Sequence, residues 1–435
     1  MATIEGWEFP WLEPVPSTES MSESAMVRVQ GGWVLAASIA SATLGFGFWA
    51  LAARLFSSNV VGLAAPLVGL SSLATSIGIL GLDNGFVRFA SRVSRPRSLL
   101  WQLTLIGASL SSVMGLALSV VVLATSGDAG PAFTALVVLT VALTTSQTCF
   151  QIMDASILAA RQSQYLAYRA VAYGLSKIAL LFALLDAGVF GLSSAYTLPL
   201  VVITIVSFLL VRRLWPAHNP EGVPHRLRDL ASLSFGNWIS GLAYSLPGRL
   251  GPSIMLIFLG PSPVSFFFIA LQLAEVLNYI PEAVSKSLYA HGSLRDHLPS
   301  VLTSNMIRLV TVILLPLVAL GILLANIGMT IVGGVTYGEH SFALQLFLLA
   351  TLPKAGLQLY KAQFNVDRRP LALIIMGGTL GLSTLAFLVV GLVQGIDPDW
   401  LPLAWVLGAA LALGVSWILS RRRVPGEPER QAAPG

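Results

Sequence analysis

Long apolar stretches alternate with short polar ones along most of the chain. A helix needs about 20 apolar residues to cross a bilayer, and several stretches reach or approach that length. They predict twelve transmembrane helices, at 31–55, 62–82, 99–124, 132–158, 165–185, 189–211, 235–259, 266–284, 306–327, 342–364, 371–393 and 402–419. The pattern therefore predicts an all-α polytopic membrane protein.

The segments outside the predicted spans divide the chain into two halves. The longest connection, 212–234, separates an N-terminal six-helix bundle at 31–211 from a C-terminal six-helix bundle at 235–420. This connection begins Pro-rich, and leucines at helical spacing near its end predict a short interfacial helix. Residues 1–30 are rich in Pro, Ser and Glu, which is typical of a disordered tail, and 421–435 form a second tail.

Composition and charge fit a membrane protein and exclude a set of soluble domains. Hydrophobic residues make up 55% of the chain and charged residues 10%, against about 45–50% and 25% in soluble domains. All but four of the 25 Lys and Arg fall on one side of the predicted topology. Because cytoplasmic loops are rich in Lys and Arg, we expect both termini in the cytoplasm and the spans in the cell (inner or plasma) membrane. The net charge of +5 therefore does not indicate a nucleic-acid partner.

The four cations outside this distribution are Arg54, Lys177, Arg249 and Lys354. Arg54 ends the first predicted span on the opposite side of the membrane, and the other three fall near the middle of their spans. A cation at the centre of a bilayer costs from about 3 to more than 10 kcal/mol, so each of these three is a candidate functional residue.

Arg249 lies in the seventh predicted span, within the sequence SLPGRLGPS. Pro247 and Pro252 each remove a backbone donor, and they predict a helix that is broken at this point. A broken helix at membrane depth is tolerated only where it is buried in protein or lines a water-filled cavity. We therefore expect Arg249 to line a cavity. The alternative is that Arg249 pairs with one carboxylate, such as Glu275, to dock two helices.

Three predicted spans carry polar side chains at spacings of three and four, which places them on one helix face. They are Thr140, Thr144, Gln147, Gln151 and Asp154 in the fourth span, Gln272, Glu275, Tyr279 and Glu282 in the eighth, and Lys354, Gln358, Lys361 and Asn365 in the tenth. Such faces predict a hydrated central cavity, and hydrogen bonding between helices is the alternative.

An excess of cations in a hydrated cavity suits an anionic ligand such as a pyrophosphate or an acidic sugar. Glu275, Asp154 and Glu282 are candidates for ion coupling or gating, with H⁺ or Na⁺ as the coupling ion. Glu275 carries a proton in this interpretation, whereas in the alternative it neutralises Arg249.

Catalytic motifs are missing from the sequence. It contains no GxSxG, HExxH or CxxC motif and no phosphate-binding Gly loop. Cys149 is the only cysteine, and the five histidines lie in loops without the spacing of metal ligands. We therefore expect a protein that is not an enzyme and that has neither a metal site nor an organic cofactor.

Three segments resemble the polysaccharide-transporter proteins, which are the O-antigen and capsule flippases of the multidrug/oligosaccharidyl-lipid/polysaccharide (MOP) exporter superfamily. They are FWALAARLFSSNVVGLAAPLVGLSSLATSIGILGLDNGFVRFASR at 48–92, RDLASLSFGNWISGLAYSLPGRLGPSIMLIFLGPSPVSFF at 228–267 and IVGGVTYGEHSFALQLFLLATLP at 331–353. The resemblance implies two six-helix bundles arranged as a V that rock around a central cavity. Within the superfamily, twelve spans rather than fourteen disfavour a lipid II flippase.

The resemblance implies a flippase that moves a polyprenyl-pyrophosphate-linked oligosaccharide to the outer leaflet for surface polysaccharide synthesis. Its expected partners are the lipid-linked glycan, membrane lipids and other membrane proteins of polysaccharide assembly. Two alternatives stay open: an ion-coupled small-molecule antiporter of the multidrug type, and a non-transporting scaffold of a glycan-assembly complex. The candidate pathway residues are Arg249, Lys177, Lys354, Arg54, Arg88, Gln147, Gln151 and Gln358.

Overall fold

The structure is a computed structural model that describes residues 23–126, 133–220, 222, 227–293, 300–367 and 369–421. Its secondary structure in these ranges is helical, without a strand. The N-terminal half contains α1 (Glu23–Leu55), α2 (Ser58–Ile79), α3 (Leu82–Phe89), α4 (Pro96–Ser126), α5 (Phe133–Ala159), α6 (Gln164–Ala183) and α7 (Gly188–Leu214). The C-terminal half contains α8 (Leu227–Leu259), α9 (Pro261–Ser293), α10 (Ser300–Leu323), α11 (Ala325–Gly333), α12 (Val335–Glu339), α13 (Ser341–Val366), α14 (Pro370–Val393) and α15 (Leu403–Arg421).

Eleven helices in the described ranges are long and apolar enough to cross a membrane, or twelve if α10 and α11 form one span. The prediction of an all-α protein with about twelve spans is confirmed. The span predicted at 306–327 corresponds to α10 and α11, between which the chain bends by 66°. The residues at the bend, Leu323 to Ala325, are apolar and include neither glycine nor proline. The bend accompanies the burial of Ala325 and Met329 against neighbouring helices.

Helix α8 runs unbroken through Pro247 and Pro252, so the predicted break at Arg249 is wrong. Each proline removes a single helical hydrogen bond, which kinks a helix without ending it when packing holds the rest. Pro247 leaves the carbonyl of Ala243 without its usual donor. That carbonyl packs on Gly381 of α14, where an added Cβ would lie only 2.1 Å from the oxygen. Packing on α14 therefore holds the proline-containing turn in place.

The segments at the ends of the halves differ in part from expectation. Helix α1 begins at Glu23, so residues 23–30 of the predicted disordered tail are helical. Helix α7 continues to Leu214, and α8 begins at Leu227 and enters the span without interruption. The residues of the predicted interfacial helix therefore form the first turns of α8, because no Gly or Pro interrupts the chain from Leu227 to the span. Residues 1–22 and 422–435 lie outside the described residues.

The two halves meet mainly where α2 packs along α8 and α9. Small residues permit this close approach. A Cβ added to Gly62 would lie 1.7 Å from the carbonyl oxygen of Pro261, and one added to Gly69 would lie 2.6 Å from that of Arg249. Since neither neighbour is the end of a flexible side chain, larger residues at these two positions would force the halves apart.

One end of this interface is closed by direct contacts, and we call it the closed end. The hydroxyls of Ser58 and Ser262 lie 3.0 Å apart. Arg54 donates hydrogen bonds of 2.8 to 3.0 Å to the carbonyls of Thr330 and Ile331 in the last turn of α11. Towards the opposite end of α9, Tyr279 is 51% exposed, and Trp238 of α8 donates to the carbonyl of Ser76 of α2 at 2.6 Å.

Candidate functional site

A cavity of about 390 Å³ lies between the two halves, next to the α2–α8 contact, and we call it the central cavity. Its polar lining comes from both halves and includes Ser72 of α2, Arg249 of α8, Gln272 and Glu275 of α9, and Lys354 of α13. Aromatic rings form much of the remaining wall: Trp49, Tyr196, Tyr244, Phe268 and Trp405. The structure thus brings together two of the three mid-span cations and the mid-span carboxylate that the sequence singled out.

Lys354 and Glu275 form an ion pair in the wall of this cavity. Lys354 Nζ lies 2.9 Å from Glu275 Oε1, and Asn278 Nδ2 donates to the other carboxylate oxygen at 3.1 Å. Both oxygens of Glu275 are therefore engaged by α9 and α13. The alternative in which Glu275 neutralises Arg249 is wrong, because the carboxylate lies with Lys354.

Arg249 instead contacts the opposite half through neutral groups. Its guanidinium donates to the carbonyl of Ser72 at 2.8 Å and to the hydroxyl of Ser76. Within the described ranges Arg249 forms no ion pair with a carboxylate. The guanidinium therefore brings an uncompensated positive charge to the central cavity. Its hydrogen bonds also join α8 to α2 at the place where Gly69 lets the two backbones approach.

A second cavity of about 370 Å³ lies inside the N-terminal half between α1, α5, α6 and α7, and we call it the N-half cavity. Gln147, Gln151, Asp154 and Lys177 line it, and Tyr196 lines both this cavity and the central one. The Lys177 ammonium is buried. It lies 4.9 to 5.2 Å from the ring centres of Tyr173, Tyr196 and Phe48, which are cation–π distances.

Asp154 has a buried partner that the sequence interpretation missed. Arg169 forms an ion pair with Asp154, donates to the carbonyl of Phe150 at 3.3 Å and lies over the Phe150 ring. Arg169 lies in α6 and its residue surface is only 6% exposed. The sequence feature that could have predicted this pair is the short turn between α5 and α6, because it sets Asp154 and Arg169 at similar depths on neighbouring helices.

The polar face of α5 serves two purposes. Towards one end, the carbonyls of Thr140 and Thr144 accept hydrogen bonds from side chains of α2, as the interhelical alternative predicted. Further along α5, Gln147 donates to Ser72 at 3.1 Å, and Gln151 and Asp154 face the N-half cavity.

The remaining predicted site residues lie outside the linings of the two cavities. Gln358 of α13 is buried, and its amide donates to the Tyr244 hydroxyl at 3.4 Å. Arg54 is at the closed end, and Glu282 lies on α9 about two turns beyond Glu275. Arg88 belongs to α3, but its side chain lies outside the described residues.

The two cavities share one electrostatic arrangement. Each is lined by a carboxylate that belongs to an ion pair, Glu275 with Lys354 or Asp154 with Arg169, and by one cation, Arg249 or Lys177, that forms no ion pair within the described ranges. When these groups are ionised, the central cavity, which Lys354 also lines, has a net positive charge, whereas Lys177 and Asp154 balance in the lining of the N-half cavity. The lining of the central cavity therefore attracts anions, and its aromatic rings supply apolar surface beside the charge.

Comparison with known proteins places the fold. No family model and no curated protein sequence matches the chain. The structure of the lipid II flippase MurJ in an inward closed conformation matches with a TM-score of 0.66 at 12% identity, over 89% of this chain and 87% of that one. An outward-facing multidrug resistance MATE family transporter of the MOP superfamily matches with a TM-score of 0.60 at 16% identity, over 91% and 94%. The chain has the MOP fold.

This MOP fold was expected from the three resembling segments, and it explains the two-bundle arrangement around a central cavity. A eukaryotic MATE transporter also matches, with a TM-score of 0.53 at 12% identity over 91% of this chain and 93% of that one. A lipid II flippase and multidrug transporters therefore share this fold. The number of spans, which we used to disfavour a lipid II flippase, does not distinguish the flippase structure from the multidrug structures. At such identities the likeness describes the fold, and it assigns no role to any residue.

Proposed function

We propose that the protein is a flippase that moves a polyprenyl-pyrophosphate-linked oligosaccharide from the cytoplasmic to the outer leaflet for surface polysaccharide synthesis. The observation that carries this proposal is Arg249, whose guanidinium lines the central cavity and forms no ion pair within the described ranges. A cation held at membrane depth by neutral groups is costly in an empty protein. An anionic ligand offsets that cost when it binds.

The pyrophosphate is the group that Arg249 would bind. Guanidinium donors pair with phosphate oxygens through short, charge-assisted hydrogen bonds. Lys354 lies in the same lining and provides a second cation, which Glu275 neutralises in the present structure. The aromatic rings of Trp49, Tyr196 and Phe268 offer flat apolar surfaces to the glycan that follows the pyrophosphate.

Lys177 and the N-half cavity extend this binding path. Tyr196 lines both cavities, so a ligand that fills the central cavity also meets the wall of the second one. Lys177 then supplies a further cation for a pyrophosphate or an acidic sugar. Gln147 and Gln151 add hydrogen-bonding groups that suit sugar hydroxyls.

The direction of access follows from the positive-inside distribution of the loop charges. It places the closed end, where Ser58 meets Ser262, at the outer surface. The structure then corresponds to a form that is closed to the outside. Alternating access requires these contacts to open as the cytoplasmic side closes.

Coupling is assigned to the two paired carboxylates, with Glu282 as a further gating candidate. Binding of H⁺ or Na⁺ at Glu275 weakens its attraction for Lys354 and frees that cation for the pyrophosphate. Asp154 lines the N-half cavity and is paired with Arg169, which is outside that lining. The ion that binds at Glu275 therefore controls how many cations the ligand meets in the central cavity.

A second candidate function is a small-molecule antiporter of the multidrug type. The observation in its favour is Glu275, whose side chain is 42% exposed in a cavity walled by aromatic rings. A carboxylate among aromatic rings suits an organic cation. A non-transporting scaffold has no such observation, because it needs no charge in a cavity.

Deletion of the gene separates these functions. A flippase deletion abolishes one surface glycan, and its lipid-linked precursor builds up in the cytoplasmic leaflet. Wild-type protein and the control Arg95→Ala, which changes an exposed arginine away from both cavities, restore the glycan, whereas Arg249→Ala does not. Normal glycan with raised sensitivity to toxic cations would establish the antiporter instead. If the deletion abolished the glycan and the Arg249→Ala protein fully restored it, the result would point to a scaffold.

A further inference from the structure

A third recess lies on the outside of the N-terminal half, between α6 and α7, with a volume of about 580 Å³. We call it the α6–α7 groove. Its walls are mainly apolar, from Ala172 of α6 and from Ile203, Val206 and Leu209 of α7. Val206 and Leu209 are each 59% exposed, so this groove opens towards the surroundings of the bundle, where the lipid of a membrane would be.

The groove has one polar end and one apolar end. Tyr165 and Arg213 lie at the ends of α6 and α7 that are adjacent in space, and both line the groove. Ile203 lies ten residues before Arg213, which corresponds to about 15 Å of helix. Tyr165 and Arg213 therefore lie at one membrane end of the groove, and Ala172 and Ile203 lie about 10 and 15 Å deeper, within one leaflet. A cation followed by an apolar channel matches the shape of an anionic lipid.

Arg169 supplies a second, independent observation at the wall of the groove. Arg169 is 6% exposed and lines the groove. Its guanidinium pairs with Asp154 of the neighbouring helix α5. Its Nε is buried and has no hydrogen-bond acceptor. A buried donor without a partner is costly, so a small shift of this side chain towards an acceptor in the groove would be favourable. Arg169 is one turn deeper than Tyr165, at the depth of an ester carbonyl below a phosphate bound at Arg213.

We propose that the α6–α7 groove binds an anionic membrane phospholipid, with its phosphate on Arg213, an ester carbonyl near Arg169 Nε and one acyl chain along Ala172 and Ile203. Basic sites between helices at the end of a bundle are typical places for anionic headgroups. Tyr165 adds a hydroxyl at the depth where interfacial tyrosines are found. This site goes beyond the proposed transport function and does not depend on it.

The occupant is a bulk phospholipid rather than a transported lipid. The groove is separate from the central cavity, and the Arg169–Asp154 pair stands between it and the N-half cavity. A lipid bound there meets α6 and α7 from outside and has no path through the bundle. Its phosphate would lie next to the arginine that holds Asp154, so headgroup charge and the N-half cavity are electrostatically linked.

The test uses native mass spectrometry of the purified full-length protein, with phosphatidylglycerol and phosphatidylcholine of identical acyl chains. We expect phosphatidylglycerol to be retained more strongly. Arg213→Gln should lower its retention by about five- to tenfold, since one interfacial cation contributes about 1 kcal/mol. Arg212→Gln is the matched control, because it removes an equal charge from the same helix end outside the groove.

A second pair of variants tests the apolar channel. Ala172→Trp fills the groove and should abolish retention of both lipids. Ile205→Trp is its control, because Ile205 is 60% exposed on α7 but does not line the groove. Size-exclusion profiles and melting temperatures establish that each variant is folded. Equal retention by wild type, Arg213→Gln and Ala172→Trp would overturn the proposal. Retention of a polyprenyl pyrophosphate but not of phosphatidylglycerol, with the same dependence on Arg213, would overturn it in favour of a carrier-lipid site.

Discussion

Lys354 and Glu275 form an ion pair whose two members differ in their exposure. The Lys354 side chain is 12% exposed, whereas that of Glu275 is 42% exposed, and their charged atoms lie 2.9 Å apart. The amine is therefore largely enclosed between α9 and α13, and the carboxylate faces the central cavity. Because water reaches one partner and not the other, removal of each partner should have a different cost.

The first prediction is that Glu275→Gln lowers stability more than Lys354→Gln. Without the carboxylate, an enclosed ammonium is left with no anion, at a cost of about 1–3 kcal/mol. Without the ammonium, Glu275 is solvated from the cavity, at a cost of less than about 1 kcal/mol. The measurement is thermal unfolding in detergent for both single variants and the double variant. The double variant should lose less than the sum of the two, and strictly additive losses would contradict the pairing.

The second prediction concerns Arg249. Its partners in the opposite half are the Ser72 carbonyl and the Ser76 hydroxyl, which are uncharged. Arg249→Ala therefore leaves no carboxylate unpaired, and the amount of folded protein in size-exclusion chromatography should stay near that of wild type. Surface glycan should be lost, because the charge that meets the pyrophosphate is absent, and Arg249→Lys should restore it in part.

The double variant Arg249→Ala with Glu275→Gln tests whether Arg249 is structural. If Arg249 and Glu275 were coupled, the second change would restore folded protein that the first had lost. We expect no such rescue, since Glu275 lies with Lys354. Recovery of both folded protein and surface glycan in the double variant would show that Arg249 only docks helices.

The number and type of helices could be predicted from the sequence because span length and hydrophobicity are local properties. The shape of individual helices could not. Pro247 and Pro252 predicted a break, but the packing of Gly381 on the Ala243 carbonyl holds α8 as one helix. Conversely, the 66° bend between α10 and α11 has no proline or glycine at the turn itself. The unbroken α8 and the bend after α10 both depend on packing against neighbouring helices, and the local sequence pattern carries no information about that packing.

The same limit applies to the charged residues. That Lys177, Arg249 and Lys354 would line cavities followed from the cost of a cation in a bilayer. Which anion each one meets depends on helix packing: Lys354 and Glu275 are 79 positions apart, and no spacing rule connects them. The Arg169–Asp154 pair was within reach of sequence reasoning, because a short turn joins α5 to α6.

The third prediction is topological. In a Cys149→Ala background, a membrane-impermeant thiol reagent applied to intact cells should label Asn59→Cys and should spare Ser98→Cys. Both residues are exposed and lie at opposite ends of the bundle, and the positive-inside rule places Ser98 in the cytoplasm. Labelling of both in permeabilised cells is the control. Labelling of Ser98→Cys alone in intact cells would invert the topology.

The fourth prediction is a crosslink at the closed end. The hydroxyls of Ser58 and Ser262 are 3.0 Å apart, so cysteines at the two positions should form a disulfide with small side-chain adjustments. Mild oxidation of Ser58→Cys/Ser262→Cys in the Cys149→Ala background should join the halves and abolish transport, and a reductant should restore it. Each single-cysteine variant should stay active under oxidation. A crosslinked protein that retained full activity would contradict opening at this end.

The last prediction uses this crosslink to test Arg54. Its guanidinium donates to the carbonyls of Thr330 and Ile331, which lie in the last turn of α11. The Thr330 carbonyl also accepts from the Gly334 amide at 2.9 Å, and a cation near a helix C-terminus is favourable. Arg54→Ala should therefore weaken the closed end and slow oxidative crosslinking of Ser58→Cys with Ser262→Cys by about two- to fivefold, for a loss of about 0.5–1 kcal/mol at an exposed site. Arg54→Lys should have a smaller effect, because it keeps the charge but cannot reproduce the forked contact. Asn59→Ala, an exposed neighbour, is the control and should crosslink at the wild-type rate. A rate that Arg54→Ala leaves unchanged would mean that the serine contact and the α2–α9 packing close this end without Arg54.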